Sequence, residues 1–297
     1  MKEIFKRHPR YGAEPEQFAP SKEDLWERCP RCRELLYARE LQQSAYVCPK
    51  CKYHFPINAR ERIDLTLDPD SFVEYDAGIR SVDPLSFSSR GESYTAKLKQ
   101  YAERTGSNEA FLYGTGTIEG LPLVLGVTEF GFAGGSMSAA FGEKVTRAIE
   151  LAQREQLALT IFSTSGGARM QEGVLSLLQM AKTVAALDRF KASGLPFFSV
   201  MHDPCLGGTT ASYAMLGDVN IAEPGAYIGF AGRRVIEQTM RQKLPHDAAT
   251  SEFLQKHGML DLVVARQELA STIARLIRLY VTGNAAVAHH ELLAQHA

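Results

Sequence analysis

Leu159-Thr-Ile-Phe-Ser-Thr-Ser-Gly-Gly-Ala-Arg169 is the stretch that decides the fold. Residues 159–163 form a short apolar run, which marks a buried strand. Ser165 to Arg169 then turn the chain into a long helix, expected over about 171–192. The same order recurs downstream. Residues 195–201 read as the next strand, Asp203-Pro-Cys-Leu-Gly-Gly208 as its turn, and about 209–216 as its helix. Two buried strands thus each end in Gly-Gly, with the pairs 41 residues apart.

Upstream, Phe111–Ile118 and residues 121–130 read as strands joined by a hairpin turn at Glu119-Gly120. Gly131-Phe-Ala-Gly-Gly-Ser-Met-Ser138 leads into a helix over 141–153. Residues 58–67 look helical, with Asn58 as N-cap and Ile63 and Leu67 four apart. Residues 78–108 are polar and read as an exposed loop and a surface helix. Past the second glycine pair, 219–222 and 227–230 read as short strands. Leu269, Ile273, Leu276, Ile277 and Tyr280 form a helical face near the C-terminus. Strand, turn and helix alternating in this way predict an α/β fold with mostly parallel strands.

The chain has 297 residues, 45% hydrophobic and 23% charged, enough for a large domain plus a small module. The formal net charge of -1 argues against a polyanion-binding chain overall. The charge is uneven, however. Residues 1–60 hold 12 Lys/Arg against 8 Asp/Glu, and the remainder 21 against 26. A mildly basic N-terminal module permits phosphate contacts without establishing them. No run approaches the ~20 apolar residues of a membrane span. The charged start, residues 1–10, lacks the apolar core of a signal peptide, so the expected location is the cytoplasm. Residues 1–24, with Pro9, Pro15 and Pro20, are expected to be an irregular tail. Residues 25–56 are expected to form the module, and 57–297 the large domain.

Five cysteines are too few for a disulfide scaffold in a chain this long. Four of them fall in a pattern, Cys29-x2-Cys32, fifteen residues, Cys48-x2-Cys51. Each CxxC knuckle offers two thiolates to one metal, and two knuckles complete a tetrahedron around a structural zinc. All four positions are Cys, which leaves no place for a catalytic water. Pro30 and Pro49 help the knuckles turn tightly, and Arg31 and Lys50 favour the thiolate form. Between the knuckles, residues 34–47 are expected to form a short hairpin.

Glycine lets the backbone approach a ligand, and a helix N-terminus adds unpaired N–H groups. A Gly-Gly turn into a helix is therefore either a tight turn alone or a site for negative oxygen, on a phosphate or on a developing oxyanion. Known signatures do not decide between them. Gly142-Glu-Lys144 lacks the ending of a P-loop, and Gly134-Gly-Ser-Met-Ser138 misses the last glycine of a G-x-S-x-G elbow. No side chain is a convincing base. His202 and Asp203 are adjacent on a strand and point to opposite faces. Cys205 has no evident histidine partner and reads as a small turn residue. Such a site suits chemistry in which the protein polarises a carbonyl and another molecule supplies the base.

Several ordered motifs carry a resemblance. They are Cys-Pro-x-Cys with Cys-Pro-Lys-Cys, Phe-Ser-Thr-Ser-Gly-Gly-Ala-Arg-Met-Gln-Glu over 162–172, and Asp-Pro-Cys-Leu-Gly-Gly over 203–208. To these add Ala-Met-Leu-Gly-Asp over 214–218 and Ile-Gly-Phe-Ala-Gly-Arg-Arg-Val-Ile-Glu-Gln-Thr over 228–239. From about Trp26 to the last helix, the chain resembles the β subunits of bacterial acetyl-CoA carboxylase carboxyltransferase. Related biotin-dependent carboxyltransferases share the glycine motifs, and the four-cysteine ribbon selects the multisubunit form. The resemblance implies a crotonase-like (ClpP/crotonase) spiral of ββα units behind an N-terminal zinc ribbon. It implies carboxyl transfer from carboxybiotin, borne by a separate carrier protein, to acetyl-CoA, giving malonyl-CoA for fatty-acid synthesis. By family position, the N–H groups of Gly207 and Gly208 hold the enolate oxygen. Ser165, Gly166, Gly167, Ala168 and Arg169, with Gly232, line the CoA and active-site wall. The expected cofactors are one structural zinc on Cys29, Cys32, Cys48 and Cys51, and biotin on a partner. The expected partners are an α subunit in an α2β2 complex, biotin carboxyl carrier protein and biotin carboxylase. The family more often has Gly-Pro-Arg-Val where this chain has Gly232-Arg-Arg-Val235, so the role of 232–234 is set apart.

Two other readings bear on function. Arg28, Arg31, Arg33, Lys50 and Lys52 around the ribbon suit contact with RNA or DNA. A hydrolase on the same scaffold would use Ser136 or Cys205 as nucleophile.

Overall fold

A computed structural model describes residues 25–245 and 247–295, with backbone alone at Arg234 and over 281–295. The tail expected over 1–24 lies outside the described residues. The chain forms two compact units, one up to Pro56 and one from Ile57 onward.

In the first unit, β1 (Trp26–Arg28) pairs antiparallel with β2 (Leu35–Tyr37), and α1 (Ala38–Gln43) follows. The hairpin thus encloses the first Cys knuckle, and β2 and α1, not a hairpin, occupy 35–43 of the interval over 34–47. The two knuckles are built alike. Cys29 and Cys48 each donate an N–H five residues ahead, to Glu34 and Tyr53. Arg33 and Lys52 return an N–H to the carbonyls of Cys29 and Cys48. Leu36, Leu41 and Phe55 supply the small core.

The second unit begins with α2 (Ala59–Thr66), capped by a reciprocal Asn58–Glu61 box, a device worth about 1 kcal/mol. It continues with β3 (Val73–Tyr75), a two-residue hairpin of β4 (Ser88–Ser89) and β5 (Glu92–Ser93), and α3 (Tyr94–Thr105). The hairpin of β6 (Phe111–Ile118) and β7 (Leu121–Thr128) turns at Glu119-Gly120 as its sequence predicts. Next come α4 (Ala139–Glu155), β8 (Ala158–Ser165), α5 (Val174–Lys191) and β9 (Phe197–Leu206). The chain ends with β10 (Val219–Ala222), β11 (Ile228–Gly229), α6 (Arg233–Met240), α7 (Ser251–Lys256), β12 (Leu262–Val263) and α8 (Arg266–Gln295).

The sheet order is β12-β10-β9-β8-β7-β6-β3, with β11 on the end of β9. From β7 to β12 every pairing is parallel, and β3, β6 and β7 are antiparallel. Alternate strand residues feed two cores. Leu159, Ile161, Phe197 and Met201 pack against Phe141, Val145 and Ile149 of α4 and Leu187 and Phe190 of α5. Phe162, Phe198, Val200 and Ile221 pack against Ile63 of α2 and Ile273 and Ile277 of α8. Helices therefore cover both faces, as a buried parallel sheet requires.

Two expectations change in detail. Asp203 to Leu206 belong to β9 rather than to a turn, because Cys205 and Leu206 pair with β11 and Ser165 pairs with Cys205 past an irregularity in β8. After Gly208 no α-helix forms. One turn closes from Ala211 to the Gly207 carbonyl, and a single 3-10 turn, Tyr213–Met215, follows. Among the described residues, no helix is long and apolar enough to cross a membrane.

Candidate active site

The four cysteines of the first unit converge. The Sγ atoms of Cys29, Cys32, Cys48 and Cys51 all lie within 4.8 Å of one another. Cys29–Cys51 and Cys32–Cys48 are separated by 3.6 and 3.7 Å. Thiolates ~2.3 Å from a tetrahedral zinc sit about 3.8 Å apart, so the donor set fits that ion. With four sulfur ligands the ion holds structure and performs no chemistry.

In the second unit the two glycine turns meet. Gly167 follows β8 at φ +109°, and Gly207 follows β9 at φ +66°, left-handed values that L residues rarely adopt. A Cβ on Gly207 would stand 2.9 Å from the Gly167 Cα, and one on Gly167 would stand 3.4 Å from the Gly207 Cα. Only glycine allows this approach. Ser165, fully buried, ties the turns together. Its Oγ accepts from the Gly167 N–H at 3.0 Å and from the Thr209 hydroxyl at 2.9 Å.

The N–H groups around this contact divide into used and unused. Gly166 donates to the Gly134 carbonyl at 2.8 Å, and Gly207 donates to the Gly229 carbonyl at 3.1 Å. The Gly207 N–H expected to meet an oxyanion is therefore engaged by β11. Ala168 and Gly208 have no acceptor for their N–H groups among the described residues. They lie close together, since a Cβ on Gly208 would stand 3.8 Å from the Ala168 Cβ. Gly208 is buried, and a buried N–H without a partner is rare unless a ligand completes it. Thr209 and Thr210 add two more open N–H groups at the start of the turn.

Arg169 is placed differently from the sequence expectation. Its side chain turns inward and is 1% exposed. The guanidinium pairs with buried Glu109 at 2.7 Å and reaches Ser136 Oγ, Ser81 Oγ and Tyr94 Oη at 2.8, 3.2 and 3.2 Å. Burial opposes both charges, but each partner outweighs it. Glu109 holds the guanidinium above its ordinary pKa, and Arg169 holds the Glu109 carboxyl below its own. The Arg169 side chain thus packs behind its own turn, with its charge spent on Glu109. Gly232 sits at the N-terminus of α6 at φ -62°, with open space where a side chain would go.

The other candidate nucleophiles and bases are buried or hydrogen-bonded elsewhere. Burial pushes the Cys205 thiol up to about 12. Burial pushes His202 down to about 3, with Arg62 adding to the shift. His202 shares its strand face with Phe198 and Val200, on the α2 and α8 side, while Asp203 accepts the Tyr227 N–H. The Ser136 hydroxyl donates to the Ala133 carbonyl and accepts from Arg169.

Sequence reading missed a third glycine pair in this cluster. Gly134 and Gly135 carry positive φ, and a Cβ on Gly135 would overlap the Thr164 carbonyl. Its signal in the sequence is the Gly-Gly that follows β7. Sequence reading also missed Met180 of α5, whose sulfur would lie 3.0 Å from a Cβ on Gly208.

Residues 57–290 match the family model described as carboxyl transferase domain, and residues 26–51 match the acetyl-CoA carboxylase zinc finger domain. A Roseiflexus protein named acetyl-coenzyme A carboxylase carboxyl transferase subunit beta 2 is 50% identical, over 97% of this chain and 96% of its own. The subunit beta of Herpetosiphon aurantiacus is 46% identical over 98% of each chain. Among solved structures, transcarboxylase 12S, a hexamer with methylmalonyl-coenzyme A bound, superposes with a TM-score of 0.62 at 27% identity. The match covers 79% of this chain but 42% of that one, so this chain spans about two fifths of the transcarboxylase chain. The hetero-dimer of Pseudomonas malonate decarboxylase shares the fold, with a TM-score of 0.58 at 23% identity, over 75% of this chain and 86% of its own.

Proposed function

Because the chain belongs to the family of acetyl-CoA carboxylase carboxyl transferase β subunits, we propose that its paired glycine turns hold the enolate oxygen of acetyl-CoA during carboxyl transfer. The chain is a carboxyltransferase of crotonase-like α/β fold, with a structural zinc ribbon. It serves acetyl-CoA carboxylation, the step that makes malonyl-CoA for fatty-acid synthesis.

The observation that carries the proposal is the contact of Gly167 with Gly207, which leaves the Ala168 and Gly208 N–H groups open side by side. Removing a proton from the acetyl methyl group shifts negative charge to the thioester oxygen. Two fixed N–H donors stabilise that charge, each worth about 2.7–4 kcal/mol of barrier. The carboxyl donor, biotin on a carrier protein, supplies the carboxyl group and the base when bound. That division suits a site in which Cys205 and His202 are buried and held uncharged. Gly207 then serves by its shape, letting the turns touch, and Gly166, Gly167, Ala168 and Gly232 form the CoA wall. Ser165 and Arg169 hold that wall in place from beneath.

The chain supplies one half of the site. An α subunit supplies the facing half and the biotin site, in an α2β2 complex that works with biotin carboxyl carrier protein and biotin carboxylase in the cytoplasm. The test is malonyl-CoA decarboxylation in the presence of a biotin derivative. The chain with its α partner is expected to be active and the chain alone inactive. Full activity of the chain alone would overturn the two-chain reading.

A second reading concerns the ribbon. Arg28, Arg31, Arg33, Arg39 and Lys52 are all exposed, as is the Trp26 ring. We propose that this surface contacts RNA or DNA phosphates, with affinity falling steeply with salt. Filter binding by the full chain, against a variant with Arg28, Arg31 and Arg33 changed to Glu, tests it. Equal retention would count against it.

A further inference from the structure

The Ala168 N–H owes its direction to Met137. The Met137 N–H donates to the Gly167 carbonyl at 2.8 Å, and its carbonyl accepts the Arg169 N–H at 2.9 Å. This is one rung of a parallel ladder, Met137 against Ala168. In such a rung the bonds run to the residues on either side, so the middle residue turns its own N–H away. Ala168 thus keeps its donor off the rung, with Gly208 close by.

A buried polar core holds Met137 on both sides. Ser136, before it, offers its carbonyl and its hydroxyl oxygen to the Arg169 guanidinium. Ser138, after it, donates its hydroxyl to Glu109 at 2.9 Å and accepts the Phe141 N–H. Ala139, at the start of α4, donates its N–H to Glu172 at 2.7 Å. Arg169, Glu109 and Glu172 are each 1% exposed or less. The Glu172 carboxylate does not reach the Arg169 guanidinium itself. The Tyr94 hydroxyl joins them, donating to Glu172 Oε1 at 2.7 Å and accepting from Arg169 Nη1 at 3.2 Å. Ser81 makes the matching link, donating to Glu109 and accepting from Arg169 Nη1 at 3.2 Å. Both hydroxyls come from residues 78–108, which read from sequence as an exposed loop and a surface helix. Tyr94 is instead buried, and its own N–H is fixed on the Phe87 carbonyl at 2.9 Å.

We propose that Tyr94 is a positioning residue for carboxyl transfer: its hydroxyl locks Arg169 to Glu172, and through Ser136, Met137 and Ala139 it aims the Ala168 N–H at the enolate oxygen. The inference rests on the reading of Ala168 and Gly208 as the oxyanion donors. Stability alone does not account for the arrangement, because apolar side chains of the same shape often serve a core as well as a buried charged network does. What the network supplies is one geometry, set by charge-assisted bonds of fixed direction. An oxyanion site needs that, since a donor displaced by about 1 Å can cost on the order of 100-fold in rate. Tyr94 lies behind the turn and acts only through Arg169 and Glu172.

The experiment measures malonyl-CoA decarboxylation with a biotin derivative, by the full chain together with the α subunit of an acetyl-CoA carboxylase. Tyr94→Phe removes the hydroxyl and keeps the buried ring. It is expected to lower kcat at least about 10-fold. The KM for malonyl-CoA should stay within about twofold, because the lost interaction matters only in the transition state. Tyr113→Phe is the matched control. Its hydroxyl also meets a carboxylate, that of Asp76, but on β6, two strands from β8. That variant is expected to melt earlier and to keep its kcat. Ser81→Ala, a smaller change expected to lower kcat about threefold, carries the test should Tyr94→Phe fail to fold. An unchanged kcat in Tyr94→Phe overturns the proposal, as does a rise in KM alone or an equal fall of kcat in Tyr113→Phe. Gly207→Ala separates the underlying reading. If Gly207→Ala loses kcat and Tyr94→Phe does not, only the role of Tyr94 falls. If neither loses kcat, the oxyanion reading falls with it.

Discussion

At the scale of single residues, the site is backbone shaped by the absence of side chains. Gly207 is favoured as glycine on two counts, its φ of +66° and the Gly167 Cα that a Cβ would strike. Gly225 shares only the first requirement, with φ +73° and open space around it. Gly225→Ala is expected to cost about 1–2 kcal/mol of stability and leave activity intact. Gly207→Ala is expected to cost more and to lower kcat at least 100-fold with the α partner present, by moving the Ala168 and Gly208 donors apart. Steady-state kinetics beside denaturant melts separate the two, and equal kcat for Gly207→Ala would remove the need for close approach. The sequence points to Gly166-Gly167 and Gly207-Gly208 and offers no evident side-chain base beside them. It did not show which N–H was open. That depends on Gly229, whose carbonyl reaches back to Gly207 only once β11 pairs with β9. Nor did it show Arg169 as buried, since Glu109 lies 60 residues away.

At the scale of elements, local pattern and tertiary pairing share the outcome. The hairpin of β6 and β7, the Asn58 cap and β10 stand where alternation and turn chemistry place them, because short-range rules suffice there. The segment after Gly208 looked helical but has its turn pinned by Thr209 to Ser165 and by Thr210 to the Cys205 carbonyl. Those side-chain bonds compete with helix formation. In the ribbon, β1 and β2 close over the first knuckle because Cys29 and Glu34 pair through their backbones. So few buried side chains support it that zinc supplies much of its stability, commonly about 10–16 kcal/mol for such sites. Chelation is therefore expected to release about one zinc per chain and to erase hydrogen-exchange protection over 25–56. Residues 111–206 should keep theirs. Loss of protection in both regions at once would contradict independent stability of the larger unit.

At the scale of the whole molecule, three buried charges lock the second unit. Glu223, just after β10, pairs with Arg62 of α2 at 2.7 Å and with Arg266 of α8 at 2.8 Å. Burial would raise the Glu223 carboxyl, but the two guanidinium groups hold it well below its ordinary value. Beside them His202 stays neutral, pushed down to about 3. An unfolded His binds a proton near 6.5, so between those values the unfolded chain takes up a proton that the folded chain refuses. Stability from His202 is full above about pH 6.5 and falls as pH drops, by up to about 1.4 kcal/mol per unit. Below about 4.5, protonation of unfolded Glu223 and Glu109 adds to the loss. His202→Gln is expected to flatten the stability profile between pH 6.5 and 4.5, read by urea melts at fixed zinc. An unchanged slope would show that His202 is not the group responsible.

The same lock has a consequence for how the protein is made. Arg62 comes near the start of the second unit and Glu223 late in it, but the third member, Arg266, opens the final helix. On the ribosome, the sheet can be laid down strand by strand while Arg62 and Glu223 wait with one cation short. β12, the outermost strand beside β10, also emerges after Glu223. The unit is thus completed from its tail, and a chain that stops short of Arg266 exposes the α8-facing side of the sheet to the quality-control machinery.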